Sequence, residues 1–492
     1  MTDLKLVDVS IRDGNQSLWG ATGLDTAQML EIAPVINRVG FKALDFNSST
    51  HMAVAVRYAK EDPWERIRLM HKAMPDTPLQ YITTGFRFAS WETAHPEFMR
   101  LAFRKLVEAG IERFIVLDPM HDLEGLFGAA RMVKEEGGKV MAALTYTVSE
   151  IHTDEFYAGL AGEIAKSPYV DVIYIKDPAG ILLPDRARTL IAAVKAEIGN
   201  MDLELHSHCT IGLSQMSYML APDCGVGTLH TAVGPLANGT SLPPALRTVA
   251  NLRELGHRVD IDDRALALMG DYFSRLARAE GLPFGQPEEF DAAFLRHQMP
   301  GGVVTTLKRQ LAEMKQEQRW PALVEEVPRV RAELGYPIMV TPFPQIVCTQ
   351  ALFNVISSER YGTVPDQVIR YVLGRFGYPT TPVDPNVRDK VLSGARAKEI
   401  AAEPGPASLA ELRKRFGPSM PDEEFILRAV MPGEQVDAMM ANGPAKRHYN
   451  PDARPILQLL REVVQKRDVS HVVIDKPDFK IELKGRFDAA AE

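Results

Sequence analysis

Short apolar runs alternate with amphipathic segments along the first half of the chain. The runs are four to eight residues long, which is typical of buried strands. We predict eight strands, at residues 4–10, 43–46, 79–84, 113–118, 140–147, 170–175, 203–208 and 227–233. Helix-period segments separate them, for example at residues 26–39, 96–109, 123–136, 154–166 and 185–198. Eight strand-then-helix units in about 250 residues predict the α/β class and a closed (β/α)8 TIM barrel rather than an open sheet.

Ionisable residues of the kinds found in active sites lie at the carboxyl ends of three of these strands. Arg12 and Asp13 come after the first strand, Lys176 follows the sixth, and His206 and His208 end the seventh. Alternate strand residues point to one face, and the carboxyl ends of barrel strands meet at one rim. We therefore expect these side chains to lie together, at the rim where TIM-barrel enzymes carry their active sites.

A carboxylate and two imidazoles form a mixed oxygen and nitrogen set. Such a set suits zinc, manganese or cobalt rather than calcium. The two histidines alone are equally compatible with a structural role, and Asp13 on the same rim makes a metal site the stronger interpretation. Burial lowers the pKa of a lysine, so a neutral Lys176 can add CO₂ and offer a carbamate anion to the metal. The alternative is an ammonium paired with Asp177 or with another rim carboxylate.

The second half of the chain is richer in helical patterns. Helices are predicted at residues 293–299, 304–318, 321–334, 344–357 and 366–376. A linker rich in Ala, Pro and Gly at 401–407 leads to a tail with a predicted hairpin, whose strands at 471–474 and 479–483 flank a turn. We predict a barrel domain at 1–288, a helical domain at 289–400 that completes the active-site funnel, and a helical and hairpin extension at 401–492.

Composition narrows the class of function. The net charge of −8 argues against a general nucleic-acid binder. The three cysteines follow no pairing pattern, and the polar first residues do not resemble a targeting segment. No apolar run approaches the roughly 18 residues that span a bilayer. We expect a cytoplasmic enzyme.

Several separated motifs resemble one enzyme family. They are residues 11–18 (IRDGNQSL), 62–66 (DPWER), 174–180 (YIKDPAG), 206–208 (HSH), 235–241 (PLANGTS), 297–302 (HQMPGG) and 340–342 (VTP). In this order they resemble the carboxyltransferase component of biotin-dependent carboxylases and decarboxylases. Pyruvate carboxylase, the oxaloacetate decarboxylase alpha subunit and the transcarboxylase large subunit carry this component. The resemblance extends from Val9 to about Ala441.

The resemblance implies a role for each matching residue. Asp13, His206, His208 and a carboxylated Lys176, N6-carboxylysine, would bind the metal. Arg12 and Gln16 would shape the substrate pocket beside it. Thr341 would carry a proton between biotin and the enol form of the acceptor, and the 297–302 loop would frame the entrance for biotin.

The chain also departs from the family pattern. The arginine that binds the substrate carboxylate would fall at Thr84, and the aspartate expected after the second strand falls near Ala53. Asn15 and Pro344 replace a histidine and a serine of the usual motifs. An arginine binds a carboxylate through two parallel charge-assisted bonds, so its loss argues against pyruvate bound in the usual way. Arg87 is a candidate substitute, and a different acceptor is equally compatible.

The partners follow from the resemblance and from one missing motif. No lysine lies between methionines at a hairpin tip, as biotin attachment requires, and no phosphate-binding loop of the Walker type is present. We therefore expect a separate biotin carboxyl carrier protein, together with biotin carboxylase or decarboxylase subunits and a small-molecule substrate. A homodimer is expected from the family alone.

The sequence thus predicts a metal-dependent carboxyltransferase subunit that moves CO₂ between carboxybiotin and an enolisable small acid or acyl acceptor. Two alternatives stay open. A biotin-independent lyase of the hydroxymethylglutaryl-CoA lyase type shares the Arg-Asp-Gly start and the His-x-His pair, but needs neither Lys176 nor the 340–342 loop. A non-catalytic assembly subunit would explain the missing arginine, although the complete ligand set favours an enzyme.

Overall fold

The computed structural model describes residues 2–89, 93–449, 471–476 and 479–484. The chain forms two compact units, Met1–Arg447 and His448–Glu492. The first unit contains the barrel strands β1 Asp3–Asp8, β2 Ala43–Ser48, β3 Leu79–Thr84, β4 Ile111–Leu117, β5 Lys139–Thr145, β6 Val172–Asp177, β7 Asp202–Ser207 and β8 Thr228–Thr231. Neighbours pair in parallel in chain order, and β1 pairs with both β2 and β8, which closes the sheet. The predicted TIM barrel is confirmed.

Burial explains why these runs are strands. Every residue of β2 and of β6 is buried, as expected where the barrel interior lies on one face and helices cover the other. The register places Lys176 of β6 opposite His206 of β7. A two-residue strand outside the predicted set, β9 Arg258–Val259, adds to β1.

Helices surround the barrel strands. They are α1 Asn15–Trp19, α2 Thr26–Val39, α3 Ser49–Val54, α4 Pro63–Ala73, α5 Pro96–Ala109, α6 Leu123–Glu135, α7 Asp154–Ala165, α8 Pro184–Ile198, α9 Ser214–Leu220, α10 Ala245–Glu254 and α11 Asp263–Glu280. Asp25 forms a capping box with Gln28 at the start of α2, and Thr153 caps α7. These side chains satisfy backbone N–H groups that the first turn leaves unpaired, which fixes where each helix begins.

A helical region follows within the same compact unit. Its helices are α12 Phe294–His297, α13 Gly301–Glu313, α14 Trp320–Glu333, α15 Phe343–Ile356, α16 Asp366–Val372, α17 Pro385–Leu392, α18 Ala395–Ala401, α19 Leu409–Phe416, α20 Asp422–Val430 and α21 Gly433–Asn442. Buried side chains of α13 to α18 form one hydrophobic cluster, and Met120 from the loop after β4 belongs to it. The cluster therefore holds the helices against the carboxyl end of the barrel.

Helix boundaries differ from the prediction around Pro300. The predicted helix at 293–299 is only the four residues of α12, and α13 begins at Gly301 rather than at residue 304. Glycine disfavours helix interiors, so the two glycines suggested a loop. Pro300 precedes the first helical residue, where its fixed φ and missing N–H are tolerated.

The second unit contains an antiparallel hairpin, β10 His471–Lys476 and β11 Phe479–Lys484, with His471 opposite Lys484. This confirms the predicted strand pair. Asp475 and Lys476 of the predicted turn lie in β10, and Pro477 and Asp478 lie outside the described residues. Within the described ranges, no helix has the length and apolar character needed to cross a bilayer. The predicted domain boundaries at residues 288 and 400 stay predictions.

Candidate active site

A tight turn after β1 delivers the first two site residues. Arg12 and Asp13 lie in a π-helical turn, Ser10–Gly14, an irregular geometry that often occurs at functional sites. The Ser10 hydroxyl donates to Asp8 over 2.7 Å and accepts the Val233 N–H over 2.8 Å, so the turn is tied to both adjacent strands. A Cβ atom at Gly14 would lie 2.8 Å from a backbone oxygen of the loop after β8, which explains the glycine of the Arg-Asp-Gly motif.

Asp13, His206 and His208 point three ligand atoms at one another. The His206 Nε2 atom lies 3.2 Å from Asp13 Oδ2 and 3.1 Å from His208 Nε2, and His208 Nε2 lies 3.5 Å from Asp13 Oδ1. All three residues are buried. Ligand atoms bound at about 2.0–2.2 Å to one zinc-sized ion lie about 3.0–3.5 Å apart, so the spacing fits such an ion.

Lys176 completes the cluster. Its Nζ atom lies 3.1 Å from His206 Nε2 and 3.4 Å from Asp13 Oδ2. Burial lowers the pKa of Lys176, which favours the neutral amine that adds CO₂. The Asp177 carboxylate forms hydrogen bonds with other groups. It accepts the Ser207 hydroxyl over 2.7 Å and two backbone N–H groups of the following loop. The rim carboxylate next to Lys176 is therefore Asp13.

Arg12 sets the charge of this cluster. Its guanidinium lies 2.9 Å from Asp13 and also donates to Asp45 of β2 over 2.9 Å. Burial by itself would raise the pKa of Asp13, but Arg12 and His208 hold that pKa well below its usual value. Burial and the neighbouring Lys176 lower the pKa of His206. Asp13 is thus an anion and His206 a neutral imidazole, the forms that bind a metal.

A cavity of about 520 Å³ adjoins the cluster. Eight of the nine candidate site residues line it: Arg12, Asp13, Gln16, Thr84, Arg87, Lys176, His208 and Thr341. His206 is fully buried and lies behind the wall, in contact with Lys176 and His208. Thr341 is solvent-exposed and enters from the helical region, so the barrel rim and the helices enclose one space.

Arg87 lines the cavity and forms no ion pair with the described residues. It is 6% exposed, its Nε atom has no hydrogen-bond partner, and within the described part of the chain no carboxylate lies within ion-pair distance of it. Its guanidinium lies 5.8 Å from the centre of the Phe376 ring. Burial lowers the pKa of Arg87 and raises that of nearby Asp118 to about 6. Thr84, where the family arginine would fall, is half-buried in the same wall.

The structure also reveals contacts that the sequence reasoning missed. His208 Nδ1 lies 2.7 Å from the Thr240 carbonyl, and His206 Nδ1 lies 3.5 Å from His230 Nδ1. Glu204, two residues before His206, contacts the other side of His230. A signal was present, because Glu204 and His206 alternate along β7 and so share its inward face.

Comparison with known proteins places these features in a family. A family model described as the conserved carboxylase domain matches residues 294–476. A pyruvate carboxylase subunit of Methanocaldococcus jannaschii is 32% identical over 488 residues, which cover 98% of this chain and 85% of that protein. The 2-oxoglutarate carboxylase large subunit of Hydrogenobacter thermophilus is 30% identical over 455 residues, with 91% of this chain and 70% of that protein covered.

Solved structures show the same fold. The carboxyl transferase domain of Rhizobium etli pyruvate carboxylase superposes with a TM-score of 0.79 and 24% identity, over 90% of this chain and 78% of that one. The closed barrel and the helical region after it are thus shared with a carboxyltransferase domain.

Proposed function

The chain belongs to the biotin-dependent carboxyltransferase family that includes the pyruvate carboxylase subunit of Methanocaldococcus jannaschii, as its motifs predicted. We propose that it transfers a carboxyl group between carboxybiotin on a separate carrier protein and an enolisable small acid. The supporting observation is a single cavity lined by the strand-end cluster on one side and by Thr341 on the other. This arrangement gives a donor and an acceptor access to the same set of side chains.

Asp13, His206 and His208 would hold one divalent ion, either zinc, manganese or cobalt. Their ligand atoms have the spacing and the charge that such an ion requires. When bound, the ion supplies positive charge that stabilises a developing enolate oxygen. The Lys176 amine would form an N–C bond to CO₂ and release one proton, and the resulting N6-carboxylysine would be the fourth ligand.

Thr341 would carry the proton between the two reactants. Cleavage of the N–C bond of carboxybiotin releases CO₂ and leaves a biotin nitrogen that takes the hydroxyl proton of Thr341. The same oxygen accepts a proton from the carbon of the acceptor, whose enolate then bonds to CO₂. Removing the hydroxyl in Thr341→Ala should lower the transfer rate by about 10²–10⁴-fold, whereas Thr341→Ser should retain most of it. Equal rates for the two variants would contradict this role.

Arg87 would bind the carboxylate of the acceptor. It is a cation inside the cavity that the described residues leave without an ion pair, and an anionic ligand would satisfy it. Arg12 and Gln16 would line the reacting end, where Arg12 is fixed by Asp45. Thr84 would form part of the wall. The acceptor would therefore be a carboxylic acid held differently from the usual pyruvate complex.

The partners would be a biotin carboxyl carrier protein and a biotin carboxylase or decarboxylase subunit. The relatives from Methanocaldococcus jannaschii and Hydrogenobacter thermophilus are each named as one subunit of a carboxylase, which supports a divided complex. The homodimer stays a prediction from the family.

A substrate panel tests the function. Purified protein would be mixed with carboxybiotin and, in turn, pyruvate, longer 2-oxo acids and acyl-CoA acceptors, and metal content would be measured in the same sample. We expect carboxylation of at least one 2-oxo acid and one divalent ion per chain. Cleavage of carbon–carbon bonds in strictly biotin-free solution would instead favour the lyase alternative, and a metal-free, inactive protein would favour the assembly subunit.

A further inference from the structure

Buried polar side chains form a hydrogen-bonded series behind His206 inside the barrel. Glu204 and His206 occupy alternate positions of β7, and His230 lies on the neighbouring β8. The His206 Nδ1 atom is 3.5 Å from His230 Nδ1, and His230 Nε2 is 3.0 Å from Glu204 Oε2. All three residues are completely buried. These polar atoms have no access to bulk solvent and form their hydrogen bonds with one another.

Two cations fix the charge of Glu204, the residue of this set that lies farthest from His206. The other carboxylate oxygen of Glu204, Oε1, lies 2.7 Å from Arg113 and 2.9 Å from Lys42. A carboxylate between two cations stays ionised, and an ionised carboxylate only accepts hydrogen bonds. The hydrogen bond between His230 and Glu204 must then be donated by His230 Nε2.

The direction of the hydrogen bond between His230 and His206 follows from the number of N–H groups on each imidazole ring. A neutral imidazole carries one N–H, so when His230 donates from Nε2 its Nδ1 atom is an acceptor. That acceptor takes the N–H of His206 Nδ1. The lone pair of His206 therefore lies on Nε2, the atom that faces Asp13 and His208.

We propose that Glu204 and His230 are positioning residues that fix the tautomer and the ring orientation of His206 as a metal ligand. The inference rests on the proposed metal-dependent function. Histidine ligands commonly donate their second N–H to a carboxylate, a backbone carbonyl or water, and loss of that partner typically weakens metal binding about 10–100-fold. Here His230 would accept that N–H and is itself bonded to the Glu204 carboxylate. His208 has an independent support, because its Nδ1 atom contacts the Thr240 carbonyl over 2.7 Å.

The substitution Glu204→Gln is the sharpest test of the hydrogen bonds that join Glu204, His230 and His206. The amide oxygen of glutamine would face Arg113 and Lys42, so its NH₂ group would point at His230. His230 would then accept at Nε2 and donate from Nδ1, and His206 would hold its proton on Nε2, where the metal binds. The substitution keeps the shape of the side chain and reverses the direction of the two hydrogen bonds that join residue 204 to His230 and His230 to His206.

The experiment measures binding of Co²⁺ to the full chain, by visible absorption and by competition with a chelator. We expect Glu204→Gln and His230→Phe to weaken Co²⁺ binding about 10–100-fold. Glu61→Gln is the matched control, because Glu61 is also a buried carboxylate with an arginine partner, Arg66, 2.6 Å away. It has no contact with His206 and should leave Co²⁺ binding unchanged.

A second measurement does not depend on metal. Nitrogen NMR of the unsubstituted, metal-free protein should find the His206 proton on Nδ1, and in Glu204→Gln on Nε2. A proton on Nε2 in the unsubstituted protein, or unchanged Co²⁺ affinity in both variants, would overturn the inference. If the unsubstituted protein bound no Co²⁺, the proposed metal function would fail, and the proton position alone would decide the role of Glu204 and His230.

Discussion

Among single residues, we propose that Arg87 most directly determines which acceptor the cavity takes. Its guanidinium is buried, faces the cavity, and is paired with no carboxylate among the described residues. Replacing it with methionine removes the charge but keeps much of the apolar stem. We predict that Arg87→Met lowers kcat/KM for the acceptor about 10–100-fold, because charge-assisted hydrogen bonds contribute about 1.5–3 kcal/mol each.

Steady-state kinetics with varied acceptor and fixed carboxybiotin provide the measurement. The kcat/KM of Arg87→Lys should lie between the values of the unsubstituted protein and of Arg87→Met. An ammonium keeps the positive charge but cannot form the two parallel hydrogen bonds of a guanidinium. Arg131→Met is the control, since Arg131 is exposed on the outer surface of α6. An acceptor KM that does not change in Arg87→Met would contradict the role of this arginine.

We predict that His152 makes the stability of the protein depend on pH. Burial, with His121 and Arg331 nearby, lowers the pKa of His152 to about 3. An unfolded histidine has a pKa of about 6.5, so the unfolded chain binds the extra proton below that pH. The stabilisation is present above pH ~6.5 and is lost as the pH falls towards 3. Between these values His152 contributes a slope of about 1.4 kcal/mol per pH unit.

Urea unfolding at pH 7, 6 and 5 measures this slope. His152→Asn cannot take up a proton, and its free energy of unfolding should fall less steeply with decreasing pH than that of the unsubstituted protein. Parallel slopes for the two proteins would show that His152 is not the group responsible.

Among elements, α14 holds the helical region on the barrel. Arg331 of this helix donates to the Val148 carbonyl and to the Thr147 hydroxyl after β5, each over 2.8 Å, and to the Pro337 carbonyl over 2.9 Å. Arg331→Met would remove a donor from each of these acceptors, and the Thr147 and Pro337 contacts are buried. We predict a loss of about 2–4 kcal/mol in the free energy of unfolding.

Denaturant unfolding of Arg331→Met beside Arg329→Met measures this contribution. Arg329 lies on the same helix but is 61% exposed, and its ion pair with Glu333 is 3.6 Å long. Exposed pairs of this kind contribute about 0–1 kcal/mol. Similar losses in the two variants would mean that the Arg331 contacts do not hold the helix.

Element boundaries show what the sequence alone could predict. All eight barrel strands follow from short runs rich in apolar residues, because helices bury the outer face of each strand. The start of α13 was missed, since Gly301 and Gly302 suggest a loop until Pro300 is seen as the residue before the helix. The rim position of Asp13, Lys176, His206 and His208 followed from the fold class alone.

Other features of the site could not be predicted because they depend on which residues of neighbouring strands lie side by side. The contact between His206 and His230 joins β7 to β8, and Arg12 reaches Asp45 across β1 and β2. The sequence alone does not say which inward residues of neighbouring strands lie in contact. The unpaired state of Arg87 was equally hidden, because it depends on the absence of a carboxylate from several different elements of the described chain.

At the scale of the whole molecule, the barrel and the helical region act as one body around the cavity. Met120 of the barrel lies in the hydrophobic cluster of the helices, and Thr341 of the helical region faces the rim. A carboxyltransferase must bring a biotin group and an acceptor together, and a cavity with walls from both regions allows this. The family shown by the comparisons requires the same chemistry.

We propose that carboxyl transfer proceeds at the cluster around Lys176. Transfer of labelled carboxyl from carboxybiotin to a 2-oxo acid tests it most directly, in the unsubstituted protein, in Lys176→Ala, and in Lys166→Ala as an exposed lysine control. We predict biotin-dependent transfer in the unsubstituted protein and in Lys166→Ala, and none above background in Lys176→Ala. Full transfer by Lys176→Ala would contradict a role of Lys176 in carboxyl transfer.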